Sequence, residues 1–344
     1  MKYKLFGKSG LRVSELCLGT MTFGGDWGYG ADKDECQKMF DIFIKAGGNF
    51  IDTANRYTEG TSEKFVGDFI ASDRSRFVVA TKYSLYNRMH DVNAAGNHRK
   101  NLVQSLEGSL KRLKTEYVDV LYLHAWDFTT PVEEVLRALD DLVRAGKVFY
   151  IAISDTPAWI ISMSNAIAEL RGWSSFAGMQ VEYSLLQRTP EREFLPMARH
   201  LDIAVTAWAP IAGGALTGKY LGGGGDGNRL KPDSVRLNAR NQEIVSSVRE
   251  IAEEAGCSCA QVALNWLRQK NQVVIPVIGA RKENQMRENM ACLNFKLTND
   301  QIKRLDEASK IELGFPHDFL VNDGMRNNLY GGMRHAMENH REKW

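Results

Sequence analysis

The chain has no surplus of charge: 44 Lys and Arg residues face 42 Asp and Glu residues, a formal net charge of +2 in 344 residues. No global field would draw in nucleic acid or an anionic membrane, and neither is expected as a partner. Long apolar runs are missing too. Nothing approaches the roughly 20 consecutive apolar residues that span a bilayer, and the opening MKYKLFGKSGLRVSELCLGT lacks the unbroken apolar core of a signal peptide. A cytoplasmic location is the expectation. Cys17, Cys36, Cys257, Cys259 and Cys292 form no regular framework, and Cys257-Ser-Cys259 has one spacer residue where a redox or zinc motif has two. Reduced thiols are therefore expected. The histidines show no HxxxH or HxH spacing, so no metal is expected, and no Ser or Cys sits in a nucleophile elbow. No GxGxxG follows the first strand-like run, which disfavours a doubly wound open sheet.

What is present is alternation. Apolar strand-like runs occur at 14–19, 49–54, 77–82, 118–124, 148–154, 176–183, 202–209 and 273–279. Amphipathic segments separate them. Leu102, Leu106, Leu110 and Leu113 mark one helix face, Pro131 opens a second helix, and Ile244, Val248 and Ile251 mark a third. Eight such units predict parallel strands with right-handed crossovers, closed into one (β/α)8 barrel of the TIM type, with 1–344 as a single domain. Two stretches break the pattern. A long glycine-rich loop runs from Gly213 to Arg240, with four consecutive glycines at Gly222 to Gly225 that argue for mobility at its tip. A tail at 311–344 keeps Phe315, Phe319, Leu320 and Tyr330, and reads as a C-terminal extension packed on the barrel.

Asp52, Lys82 and His124 close apolar runs, and Tyr57 follows the first of these. Strand ends of a parallel barrel converge on one face, so these four can meet. Their chemistry suits proton donation to a carbonyl oxygen. A phenol supplies the proton, an ammonium lowers its pKa, a carboxylate holds the ammonium, and an imidazole orients the acceptor.

The segments CLGTMTFGG, FIDTANRYTEGTSE, AGKVFYIAISD, MQVEYSLLQR, AWAPIAGGALTGKY and VIPVIGARKENQMRENM, in this order, resemble the aldo-keto reductases. The pattern is most similar to the branch holding potassium-channel β subunits and aryl-alcohol dehydrogenase-like enzymes. The resemblance implies NADPH-dependent, reversible reduction of an aldehyde or ketone, with Tyr57 as general acid and His124 orienting the carbonyl. It places Gly19, Thr20, Met21 and Asp52 beside the cofactor, with Ser154, Asp155 and Gln180 on the nicotinamide carboxamide and Trp208 stacked on the ring. Asp155 departs from the family's asparagine, and an ionised carboxylate cannot donate to the carboxamide oxygen. Ala209, Pro210, Ile211, Ala212, Gly213, Leu216, Lys219 and Arg229 are expected around the pyrophosphate, with the glycine-rich loop closing over it. Gly279, Ala280 and Arg281, with Lys282, lead into a helix where Arg281 can grip a 2′-phosphate, while Gln285, Glu288 and Asn289 face the adenosine. NADP(H) is therefore expected over NAD(H).

The substrate pocket should include Trp27, Tyr57, Tyr86, His124 and Trp126, with Phe23, Tyr29 and Phe128 completing an aromatic lining. The substrate itself and the oligomeric state are open. A second reading, motivated by the branch, is a cofactor-sensing regulatory subunit with slow incidental turnover. A phosphate-binding barrel isomerase is a weaker third, since it leaves Trp208 and Gln180 without a role.

Overall fold

The computed structural model describes residues 1–221, 230–270 and 274–338. A hairpin of β1 (Tyr3–Leu5) and β2 (Arg12–Ser14) precedes β3 (Cys17–Gly19), β4 (Phe50–Asp52), β5 (Val78–Tyr83), β6 (Val118–Leu123), β7 (Val148–Ser154), β8 (Gly178–Glu182), β9 (Ala204–Trp208) and β10 (Val274–Ile278). The last eight close into a barrel in the order β10-β3-β4-β5-β6-β7-β8-β9, and every pair is parallel. This is the (β/α)8 barrel that the alternation predicted.

Strand side chains alternate between the barrel interior and the helical shell. In β5, Val78 and Ala80 belong to the inner cluster, whereas Val79 and Tyr83 pack against the helices. In β6, Val120 and Tyr122 point in while Leu121 and Leu123 point out. This parity sets the upper rim: Asp52, Lys82, His124, Ser154, Gln180 and Trp208 all sit two residues beyond an inward-facing position.

Around the barrel run α1 (Lys33–Lys45), α2 (Thr61–Ile70), α3 (Arg99–Leu113), α4 (Val132–Arg144), α5 (Ala158–Arg171), α6 (Phe194–Leu201), α7 (Ala239–Ala255), α8 (Cys259–Arg268), α9 (Glu283–Met290) and α10 (Asn299–Ala308). Leu102, Leu106, Leu110 and Leu113 are buried on α3, and Ile244, Val248 and Ile251 on α7, as their spacing required. Pro131 sits just before α4 and accepts from the Val135 N–H.

The hairpin closes the lower end. Phe6, fully buried, meets Phe50 edge-on with ring centroids 5.7 Å apart. A Cβ at Gly178 would run into the Phe6 ring, so that strand position has room only for glycine. The hairpin escaped the sequence reading because its strands are three residues each, too short for a period. Residues 311–338 form α11 (His317–Val321) and α12 (Asp323–Leu329). Arg192 donates to the Glu312 carbonyl and His317 pairs with Glu193, while Phe315 and Phe319 stand exposed.

Candidate active site

Lys82 is the centre of the upper rim. Its Nζ lies 2.6 Å from Asp52 Oδ2, 2.9 Å from the Thr53 carbonyl and 3.1 Å from the Tyr57 hydroxyl. Lys82 and Asp52 are almost wholly removed from solvent. Burial alone would lower the Lys82 pKa, but Asp52 and Tyr57 together outweigh it and the net direction is upward. The group is an ammonium. A buried charge of this kind persists only with such pairing.

Tyr57 differs from expectation in one respect. Burial pushes its phenol up by more than Lys82 pulls it down, with Asp52 adding to the rise, so the net shift is upward and not toward neutrality. The expected cation effect is present and is outweighed by desolvation. The hydroxyl thus holds its proton firmly until something else changes around it. The His124 ring is 6.0 Å from the Tyr57 ring, at 82°. Burial, followed by the Lys82 charge, holds His124 down to about 3, so the imidazole is neutral at physiological pH. Its Nδ1 is buried without a protein partner.

Gln180 donates from Nε2 to Asp52 Oδ1 at 3.0 Å, which fixes the orientation of its amide. Thr20 is also engaged, its hydroxyl donating to the Asp52 carbonyl and meeting Ser62 Oγ at 2.8 Å. Gly19 lies where a Cβ would press on Val277, a packing demand between β3 and β10. Ser154 is buried at the end of β7, and Met21 is half-buried. Asp155 adopts φ 40°, a left-handed conformation that aspartate and asparagine tolerate better than most residues. Its Oδ1 accepts the indole N–H of Trp208 at 3.2 Å.

Beyond Trp208 the backbone turns through positive φ at Ala209, Ala212, Gly213 and Gly214. A Cβ on Gly213 would lie 3.1 Å from Arg236 Nη1, and one on Gly214 would lie 3.7 Å from Lys219 Nζ. Bare backbone flanked by two cations makes a cradle fit for a phosphate. Pro210, Ala212 and Leu216 are buried and Ile211 half-buried in this turn. Arg236, which pairs with Glu182 at 2.5 Å, was missed by the sequence reading; it lies beyond the glycine-rich stretch, where no period points to it. Gly222–Gly225 and Arg229 lie outside the described residues.

After β10, Arg281 donates its backbone N–H to Gln285 Oε1 at 3.0 Å, and Asn289 donates to the Gly279 carbonyl at 3.3 Å. Ala280 is buried, its carbonyl accepting from Thr22, whereas Lys282 and Glu288 are exposed. The rim over Tyr57 is a chain of contacts. Trp27 donates to Glu59 at 2.9 Å, Arg56 bonds Glu59, and the Arg56 guanidinium lies 3.9 Å above the Tyr86 ring. Trp126 is half-buried, its backbone N–H reaching the Asp155 carbonyl at 3.5 Å, and Tyr29 and Phe128 are exposed. Phe23 does not line the pocket: it is fully buried against Phe69, in the shell between barrel and helices. Arg56 and Glu59 were also missed, although both flank Tyr57 in sequence. Among the described residues no His, Cys, Asp and Glu cluster could hold a metal ion, and no helix is long and apolar enough to cross a membrane.

A family model described as the aldo/keto reductase family matches residues 15–310. Relatives include an aryl-alcohol dehydrogenase [NADP(+)] of Phanerodontia chrysosporium, 35% identical over 97% of this chain and 91% of that protein. Norsolorinic acid reductase A of Aspergillus parasiticus is 36% identical over 91% of this chain and 82% of its own. A putative aryl-alcohol dehydrogenase of Saccharomyces cerevisiae is 35% identical over 92% and 88%.

Proposed function

Because the chain belongs to the aldo/keto reductase family, and is therefore an oxidoreductase, we propose that it reduces an aldehyde or ketone reversibly with NADPH. The observation that carries this is the buried Asp52–Lys82–Tyr57 chain, with contacts of 2.6 and 3.1 Å, facing a neutral His124. NADPH, when bound, supplies the hydride. Tyr57 gives the proton to the carbonyl oxygen, and Lys82 stabilises the phenolate left behind. His124, being neutral, offers an N–H to the same oxygen without adding a charge, which supports polarisation of the carbonyl.

The cofactor preference is supported by Arg281 in the turn after β10 and by the relative whose name specifies NADP(+). The Gly213–Gly214 cradle between Lys219 and Arg236 is the seat for the pyrophosphate, and Trp208 is the surface for the nicotinamide. Trp27, Tyr86 and Trp126 form the aromatic wall of a pocket suited to aryl carbonyls, in keeping with the relatives' names.

The test is a panel of aromatic and aliphatic aldehydes and ketones with NADPH, run on wild type and Tyr57→Phe. The variant should lose roughly 10²- to 10⁴-fold in turnover while NADPH affinity stays within a few-fold. Retention of more than about a tenth of the rate would remove Tyr57 as the acid. Tight NADPH binding with no turnover on any carbonyl would instead favour a cofactor-sensing subunit.

A further inference from the structure

Asp155 combines three properties that no other residue of the rim shares. It replaces a neutral amide expected from the family pattern with a carboxylate. It is tied by a 3.2 Å hydrogen bond to the indole N–H of Trp208. Its charge is felt by the proton-donating centre, since Tyr57 and Asp155 are electrostatically coupled and Lys82 acts on Asp155. Its backbone N–H donates to the Gln180 carbonyl at 3.4 Å, which holds it at the seam between β7 and β8. The other nearby carboxylate, Glu182, is answered by Arg236 at 2.5 Å. Asp155 has Trp208 as its hydrogen-bond donor and a more distant Lys82 already held by Asp52. Burial raises the Asp155 carboxyl above its ordinary value, opposed by the Trp208 hydrogen bond and the Lys82 charge; exposed to solvent at the rim, the group sets its negative charge on the surface assigned to the nicotinamide.

Resting on the reading of the preceding subsection, we propose that Asp155 makes this site discriminate the redox state of its cofactor, binding the oxidised, cationic nicotinamide more tightly than the reduced, neutral one. The physical reason is Coulombic. The reduced ring carries no charge, so a carboxylate beside it gains little; the oxidised ring carries a positive charge and is attracted. Asp155 takes part in no bond change. Its effect is on the balance between the two cofactor forms, and so on direction: an equilibrium on the protein that leans toward the oxidised cofactor leans toward the reduced carbonyl.

Positioning of Trp208 is a competing role, because the same oxygen accepts the indole N–H. The two roles separate in Asp155→Asn. Asparagine keeps a carbonyl oxygen for the indole, loses the charge and gains an NH2 that can donate to the carboxamide of either cofactor form, so the ratio of the two affinities reads the charge. Calorimetric titration of wild type and D155N with NADP+ and with NADPH reads the difference directly. We expect NADP+ affinity relative to NADPH affinity to fall roughly tenfold in D155N. An unchanged ratio of the two affinities, whether both fall, both rise or neither moves, would overturn the proposal. Asp155→Ser gives a second reading if D155N fails to fold. An asymmetric loss in D155S again supports the charge, and a symmetric one assigns Asp155 to holding Trp208 alone. If wild type binds neither form, the assignment of the cofactor site itself fails, an outcome distinct from symmetric losses in the variants.

Discussion

Replacing His124 by glutamine should flatten the acid limb of the protein's stability. The folded chain holds the imidazole down to about 3, against an ordinary 6.5, chiefly through burial and then through the Lys82 charge. Between these two values the unfolded chain binds the proton and the folded chain does not. Stability therefore falls as pH falls through this window, and the loss levels off only below the folded value. Between pH 7 and pH 5 the His124 contribution to that loss is roughly 2 kcal/mol, a figure governed by the unfolded value and little affected by the folded one. The assay is urea unfolding followed by tryptophan fluorescence at pH 7 and pH 5, on wild type and His124→Gln. The carboxylates are common to both proteins, so their contributions cancel in the comparison. The variant should lose about 2 kcal/mol less than wild type over the interval. If both lose the same amount, His124 is not held neutral by burial, and its role as an uncharged partner of the carbonyl oxygen falls with it.

Lys82→Met should destabilise the fold by about 3–5 kcal/mol, because Asp52 would keep Gln180 but lose its buried countercharge. Adding Asp52→Asn should recover part of that loss, and urea curves for the two singles and the double measure the coupling; an unchanged midpoint in Lys82→Met would show that the pair is not buried in solution. Arg281→Ala should weaken NADPH binding by roughly 10- to 150-fold and leave NADH nearly untouched, as read by fluorescence titration. Equal losses would remove Arg281 from the 2′-phosphate. Gly178→Val should cost about 1–3 kcal/mol by forcing a side chain onto Phe6, and Phe6→Ala in the same chain should relieve part of it in a thermal melt. A neutral Gly178→Val would mean that Phe6 does not fill the barrel floor.

The barrel was legible because its strands announce themselves twice, by apolar content and by spacing. The eight runs read from composition coincide with the eight barrel strands, though the first begins later than expected: Ser14 ends β2, and the barrel strand starts at Cys17. The convergence of Asp52, Tyr57, Lys82 and His124 was legible for a geometric reason, since parallel strands bring their carboxyl ends to one rim. What stayed hidden was set by contact and not by pattern. Nothing in the run FVVATK says that Lys82 will also bond the Thr53 carbonyl, and nothing near Arg236 says that it will stand over Gly213. The balance at Tyr57 was hidden for a further reason. A sequence shows which charges can approach a phenol but not how much water they displace, and here desolvation exceeds the cation.

The fit of Phe6 against Gly178 also bears on the order in which the molecule can be assembled. Phe6 is made long before the surface it plugs, which needs strands that leave the ribosome much later, and the Lys8 N–H binds the still later Asp202 carbonyl at 2.8 Å. At 5–20 residues per second, the hairpin waits roughly ten to forty seconds for its seat. During that interval Phe6 has no partner from β8 or β9. The base of the barrel is thus a late event in the life of an early segment, and closure from below acts as a check that most of the sheet has already arrived.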